Sequence, residues 1–120
     1  YRDGIREIHH TEKRDAPSGT AITLAEGMRS RRKGRQDWVC IRDGAGPYAG
    51  DERLVIVSER KHGIPGTHIV SYNSENDSLE LIHTAHNRKG FAAGALMAAA
   101  WVIGKKGIFG MRDMLSMQQS

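Results

Sequence analysis

Between Ile5 and Arg31 the spacing of apolar residues changes from that of a strand to that of a helix, across one short motif. Ile5 to His10 reads as a strand. From Thr20 to about Arg31, Ala21, Leu24, Ala25 and Met28 recur at helical intervals and form one apolar face. Pro17 disfavours helix before it and suits a first helical turn, with Asp15 and Ser18 as candidate caps. The cations from Arg29 to Arg35 belong near the negative end of a helix, and Gly34 is its stop.

The strand signals that follow are closely spaced. Trp38–Ile41 is short and apolar, and Asp43–Gly50 is a glycine-rich loop. Leu54–Ser58, Thr67–Tyr72 and Ser78–Thr84 are three further strands, separated by the turn formers of Gly63–Gly66 and Asn73–Asp77. Their spacing predicts an antiparallel meander. Phe91 to Lys105 is a second helix whose many alanines allow close packing on a sheet, and the tail Gly107–Leu115 is apolar enough to dock on a neighbour. The expected fold class is α+β (α/β): an open mixed sheet of about four to five strands with helices on one face. Two helices cover only one face. The other, carrying residues of Leu54–Val57 and Ile69–Tyr72, is left partly apolar and suits oligomerisation.

At 120 residues the chain is expected to form one domain, spanning 1–120. An apolar content of 38% with 27% charged residues is that of a globular chain. The net charge of +4 suits an anionic ligand or a nucleic acid, and is also common without functional meaning. Cys40 is the only cysteine, which excludes an internal disulfide and points to a reducing, cytoplasmic setting. The longest charge-free apolar run, Phe91 to Ile103, is 13 residues, short of the ~20 that cross a bilayer, so no membrane partner is expected. The polar start, Tyr1-Arg2-Asp3-Gly4, is no secretory signal, and the missing initial methionine suggests a piece of a longer protein.

The chemistry concentrates in Glu7-Ile-His-His-Thr-Glu-Lys-Arg-Asp-Ala-Pro-Ser-Gly19. Bare N–H groups at a helix start, at Ser18-Gly19-Thr20, favour an anion. Lys13 offers a second positive centre, and His9 or His10 can move a proton near neutral pH. Together they suit a small dianion that is protonated during reaction. Three competing readings are weaker. His9, His10 and Glu12 lack the His-Glu-x-x-His spacing of a zinc helix, so no metal is expected. Ser18 lacks the Gly-x-Ser-x-Gly elbow of a nucleophile. The glycines of Asp43–Gly50 and Gly63–Gly66 match neither phosphate-binding fingerprint.

The segment Glu7–Ala21 closely resembles the Glu-x-His-His-x-x-Lys-x-Asp-Ala-Pro-Ser-Gly-Thr-Ala signature of the dihydrodipicolinate (4-hydroxy-tetrahydrodipicolinate) reductases. The likeness continues through Glu59-Arg60, Gly66-Thr-His68, Leu79–Arg88, Gly90–Ala95 and Gly107–Leu115, and is weakest over Trp38–Tyr48. It implies the substrate-binding and tetramerisation domain alone, with the nucleotide-binding Rossmann domain absent from this chain.

By that resemblance, NADPH or NADH held by the other domain reduces a cyclic dicarboxylic imine on the diaminopimelate route to lysine. His9 is then the acid that protonates the ring carbon beside the one receiving hydride, and Lys13 the second catalytic residue. His10, Lys13, Ser18, Gly19 and Thr20 bind substrate, and Arg88 and Phe91 lie near the cofactor. The resemblance implies a homotetramer and assigns no chemistry to His68, His83 or His86. The alternative is a basic nucleic-acid-binding module built on Arg29–Arg35; it has one basic cluster and no interleaved aromatics for base stacking.

Overall fold

The computed structural model describes residues 1–11, 15–31, 37–42, 53–63 and 66–118. Tyr1–His86 forms one compact unit and Asn87–Ser120 a second. The first contains five strands, β1 (Arg2–His9), β2 (Trp38–Arg42), β3 (Leu54–Arg60), β4 (Thr67–Asn73) and β5 (Ser78–Thr84), with helix α1 (Gly19–Ser30) between β1 and β2. The second contains α2 (Lys89–Val102) and α3 (Met111–Gln118). The expected mixed sheet is present, and the apolar tail forms a third helix.

The strands are ordered β2-β3-β1-β4-β5. β1 is parallel to β3, and β2 also runs parallel to β3. β4 is antiparallel to β1 and pairs with β5 as a hairpin. The expected meander therefore holds for β4 and β5 only. β1 lies between β3 and β4, so these two never pair. Adjacent strands are ~4.8 Å apart, and a link of residues 61–66 is long enough to step over one intervening strand. Close spacing in sequence does not require neighbours in the sheet.

Alternation decides which face of β1 is covered. Asp3, Ile5, Glu7 and His9 are buried, whereas Arg2 and Arg6 are exposed. Ile5 joins Leu54, Ile56 and Val70 in a core closed by Ala21 and Ala25 of α1, with Leu24, Met28, Trp38 and Tyr72 at its margin. Alanine at the two buried helix positions brings α1 close to β1 and β3. This core places the start of α1 at the carboxyl end of β1, where ligands of sheets with parallel strands are commonly held. β5 is exposed along its whole length.

In the second unit, Gly104 and Gly107 take φ +81° and +127° in the turn between the helices, a region that suits glycine. Trp101 meets Phe109 edge to face at 5.4 Å, and the Lys105 ammonium lies over the indole. Asp113 accepts the Gly110 N–H at 2.7 Å and thereby caps α3. Among the described residues no helix is long and apolar enough to cross a membrane.

Candidate functional site

Two rows of side chains cross the sheet in register. The first is mainly apolar: Cys40, Ile56, Ile5, Val70 and Leu81. Two residues further along β1 the row becomes polar: Arg42, Ser58, Glu7, His68 and His83. Period-two alternation forces Glu7 onto the same inward face as Ile5. The helix start supplies what a buried carboxylate needs.

Glu7 is fully buried, with a relative exposure of 0%. Its Oε1 accepts the Ser18 main-chain N–H at 3.0 Å and the Ser58 hydroxyl at 2.9 Å. Its Oε2 accepts the Ser18 hydroxyl at 2.5 Å and faces His9 Nε2 at 3.3 Å and His68 Nε2 at 3.6 Å. Burial by itself pushes this carboxyl up. Hydrogen bonds from His68, from the Ser18 hydroxyl and N–H and from Ser58 outweigh that effect, holding it well below the usual carboxylate range. Glu7 is therefore an anion at neutral pH. Arg60 braces the same corner, donating to Ser58 Oγ at 2.8 Å and to the Asp15 carbonyl.

Ser18 is the N-cap of α1, and its Oγ accepts the Ala21 N–H at 3.2 Å. Its N–H and hydroxyl are thus turned inward, toward Glu7 and the helix. Ile22 N–H returns to the Ser18 carbonyl. Gly19 and Thr20 are exposed, so their N–H groups are the outward-facing donors of the first turn. A Cβ placed on Gly19 would meet nothing within 4 Å. Among the described residues, nothing fills the position of that Cβ.

β1 ends at His9, and His10 follows outside the strand. His9 is buried, its ring lying edge to face with His68 at 5.0 Å. The Nδ1–Cε1 edge of His9 lies along Gly66, where a Cβ would come within 3.4 Å of both atoms. His10 is half-buried, and its Nδ1 is buried without a hydrogen-bond partner among the described residues. Lys13 and Glu12 lie outside the described residues, as do Asp43–Gly50 and most of the Arg29–Arg35 cluster. Within that cluster, Arg29 pairs with Glu26 at 3.1 Å, as a cation near a helix end readily does.

The structure thus gathers His9, Ser18, Gly19 and Thr20 at one end of the sheet, with His10 adjoining His9 in the chain. Arg88 and Phe91 belong to the second unit. Arg88 precedes α2 without a side-chain cap, and Phe91 is 62% exposed. Glu7, Ser58, Arg60 and His68 carry site geometry that the sequence reading left without a role. The signal was present: a glutamate two residues from a core isoleucine is a charge on a buried face. His83 and His86 are exposed.

Glu7, His9 and His68 each offer one ligand atom, all within 4.8 Å of one another. Glu7 Oε2, the oxygen facing both rings, already accepts a short hydrogen bond, so the trio is better described as a hydrogen-bonded cluster. Burial and then the Glu7 charge push the Cys40 thiol up, which disfavours its nucleophilic thiolate.

Residues 1–115 match the family model described as dihydrodipicolinate reductase, C-terminus. A 4-hydroxy-tetrahydrodipicolinate reductase of Christiangramia forsetii is 42% identical over 97% of this chain and 46% of its own length. The protein of that name from Methanosarcina acetivorans is 38% identical over 98% of this chain and 44% of its own. Among solved structures, a dipicolinate-bound dihydrodipicolinate reductase from Paenisporosarcina sp. TG-14 superposes with a TM-score of 0.68 at 25% identity, covering 92% of this chain and 43% of that one. The chain spans just under half the length of these relatives. These comparisons give the nucleic-acid reading no support. With a family match across almost its whole length, the chain belongs to the C-terminal domain family of the dihydrodipicolinate reductases.

Proposed function

We propose that this chain is the substrate-binding part of an NAD(P)H-dependent oxidoreductase that reduces 4-hydroxy-tetrahydrodipicolinate to tetrahydrodipicolinate in lysine biosynthesis. The observation that carries the reading is the exposed first turn of α1 at Gly19 and Thr20, next to the buried Glu7–His9 pair, in a chain of this family. The solved relative bound to dipicolinate supports a planar dicarboxylate as ligand.

In this reading the Gly19 and Thr20 N–H groups and the Thr20 hydroxyl hold one carboxylate at the positive end of α1. Lys13 and His10 hold the second. Ser18 acts on substrate indirectly, by fixing the helix start that presents those donors. His9 supplies a proton to the ring carbon beside the site of reduction, and Lys13 serves as the second catalytic group. An imidazole suits this work because its ordinary pKa lies near neutral pH.

NADPH or NADH, bound mainly by a Rossmann domain outside this chain, supplies the hydride. Arg88 directly precedes α2 and the Phe91 ring is exposed, which supports a contact of both with the cofactor. The face of the sheet away from α1, with Ile82 of β5 61% exposed beside Ile69, supports assembly as a homotetramer. A cytoplasmic setting follows from the same family reading.

Calorimetric titration with pyridine-2,6-dicarboxylate tests the site. Lys13→Ala is expected to weaken binding at least tenfold and Lys106→Ala to leave it unchanged. Equal losses would remove Lys13 from the site, and absence of binding to the unaltered chain would overturn the reading.

A further inference from the structure

We propose that Arg60 is a positioning residue for the ligand's second carboxylate: with the Lys61 N–H it clasps both ends of the segment that carries His10 and Lys13. The inference deepens the proposed function and rests on its assignment of His10 and Lys13 to that carboxylate. It starts from the carboxyl end of β3, where two consecutive residues reach two points of the signature motif.

The pairing of β1 with β3 sets His9 opposite Arg60. One residue on, the Lys61 main-chain N–H donates to the His9 carbonyl at 2.8 Å, which fixes the chain where it leaves β1. The half-buried Arg60 side chain reaches further, and its Nη2 donates to the Asp15 carbonyl. His9 and Asp15 bracket residues 10–14, so the segment holding His10 and Lys13 has both ends hydrogen-bonded to the same dipeptide. The entropy of holding its ends is then spent on folding instead of on binding, which is how preorganisation raises affinity.

An arginine suits this place for two reasons. Its Nη1 donates to Ser58 Oγ at 2.8 Å and to the Glu59 carbonyl at 3.0 Å while Nη2 serves Asp15, a spread that a planar guanidinium covers and a single ammonium does not. A guanidinium only donates, so the Ser58 oxygen accepts from it and keeps its own hydrogen for Glu7 Oε1 at 2.9 Å. Arg60 thus ties the segment to the same hydrogen-bond cluster that fixes Ser18 and the start of α1. The first carboxylate meets donors on that helix start and the second meets the clasped segment, so Arg60 bears on the spacing between the two. A ligand with one carboxylate gains nothing from that spacing.

The test uses the full 120-residue chain. Calorimetry compares pyridine-2,6-dicarboxylate with pyridine-2-carboxylate, which lacks the second carboxylate. In Arg60→Ala the affinity for the dicarboxylate is expected to fall about tenfold and that for the monocarboxylate to stay within about twofold, so the preference shrinks. Arg60→Lys, which keeps the charge, is expected to lose the preference as well. In a Lys13→Ala background Arg60→Ala should cost little further. An unchanged preference in Arg60→Ala, a full preference in Arg60→Lys, or an equal loss in the Lys13→Ala background would overturn the proposal. Trypsin, without ligand, reads the clasp itself. Cleavage after Lys13 and Arg14, followed by mass spectrometry, is expected to quicken about fivefold or more in Arg60→Ala, while cleavage after Arg6 inside β1 does not. Equal acceleration at Arg6 would make Arg60 a merely structural residue, and no acceleration at Lys13 would remove the clasp; either result overturns the proposal. Should Arg60→Ala fail to fold, Arg60→Lys carries both measurements. If the unaltered chain binds neither ligand, the functional reading falls while the digestion still judges the clasp.

Discussion

Ser18→Ala probes the junction on which the site rests. The substitution removes two interactions made by one hydroxyl. As N-cap, Ser18 Oγ accepts the Ala21 N–H, and loss of such a cap costs about 1 kcal/mol. As donor, it makes a 2.5 Å bond to an ionised carboxylate, and bonds to charged groups contribute roughly 1.5–3 kcal/mol. The Ser18 N–H bond to Oε1 survives, so the carboxylate is not left wholly unpaired. The expected destabilisation is about 2.5–4 kcal/mol, the sum of those two contributions. Urea unfolding followed by far-ultraviolet circular dichroism measures it, provided the slope with denaturant is unchanged. In a Glu7→Gln background the cap remains but the charge-assisted bond does not. The cost of Ser18→Ala should then fall by roughly 1–2 kcal/mol in the double-mutant cycle. Strict additivity of the two substitutions would refute the coupling, and a Ser18→Ala cost below about 0.5 kcal/mol, the scale of ordinary surface changes, would refute the whole account of the junction.

Three further outcomes are expected. Because Glu7 titrates lower in the folded chain than in the unfolded one, its contribution to stability is complete above the ordinary glutamate pKa and is lost as pH falls toward the folded value; the drop in urea midpoint between pH 6 and pH 3.5 should therefore be smaller in Glu7→Gln, and an equal drop would contradict the assignment. Gly19→Ala meets open space and a helical first turn, so stability should hold or rise slightly, while dipicolinate binding weakens at least tenfold in calorimetry because a methyl now occupies the ligand's approach. Ile56→Ala empties the middle of the core and should cost about 2–5 kcal/mol in the same urea assay; a loss under about 1 kcal/mol would mean that α1 does not seal the sheet there.

Local chemistry made much of this readable from the chain. The Pro17-Ser18-Gly19 start, the Ala21/Ala25 stripe and the span of β5 follow from capping, period and turn residues, and the structure has them within a residue or two. The order of the strands was not readable, because nothing near β3 or β4 records that β1 lies between them. The role of Glu7 was half-readable. Its parity with Ile5 marks it as inward-facing, but its partners Ser58 and His68 are 51 and 61 residues away, and only the register brings them together. His68 accordingly looked like an ordinary strand histidine. Lys13, which the motif marks most strongly, lies outside the described residues, so its place rests on the resemblance.

The central position of β1 has a consequence for how this protein tolerates change. Its two edges are occupied by strands that arrive from much later in the chain, and the anion near its end draws on both of them. A peptide containing only the signature segment would hold every residue type the chemistry needs and still present an ionised glutamate to water, with its imidazole free to tumble. Competence here is a property of the assembled sheet, and a lesion in β3 or β4, remote from any ligand, is enough to take it away.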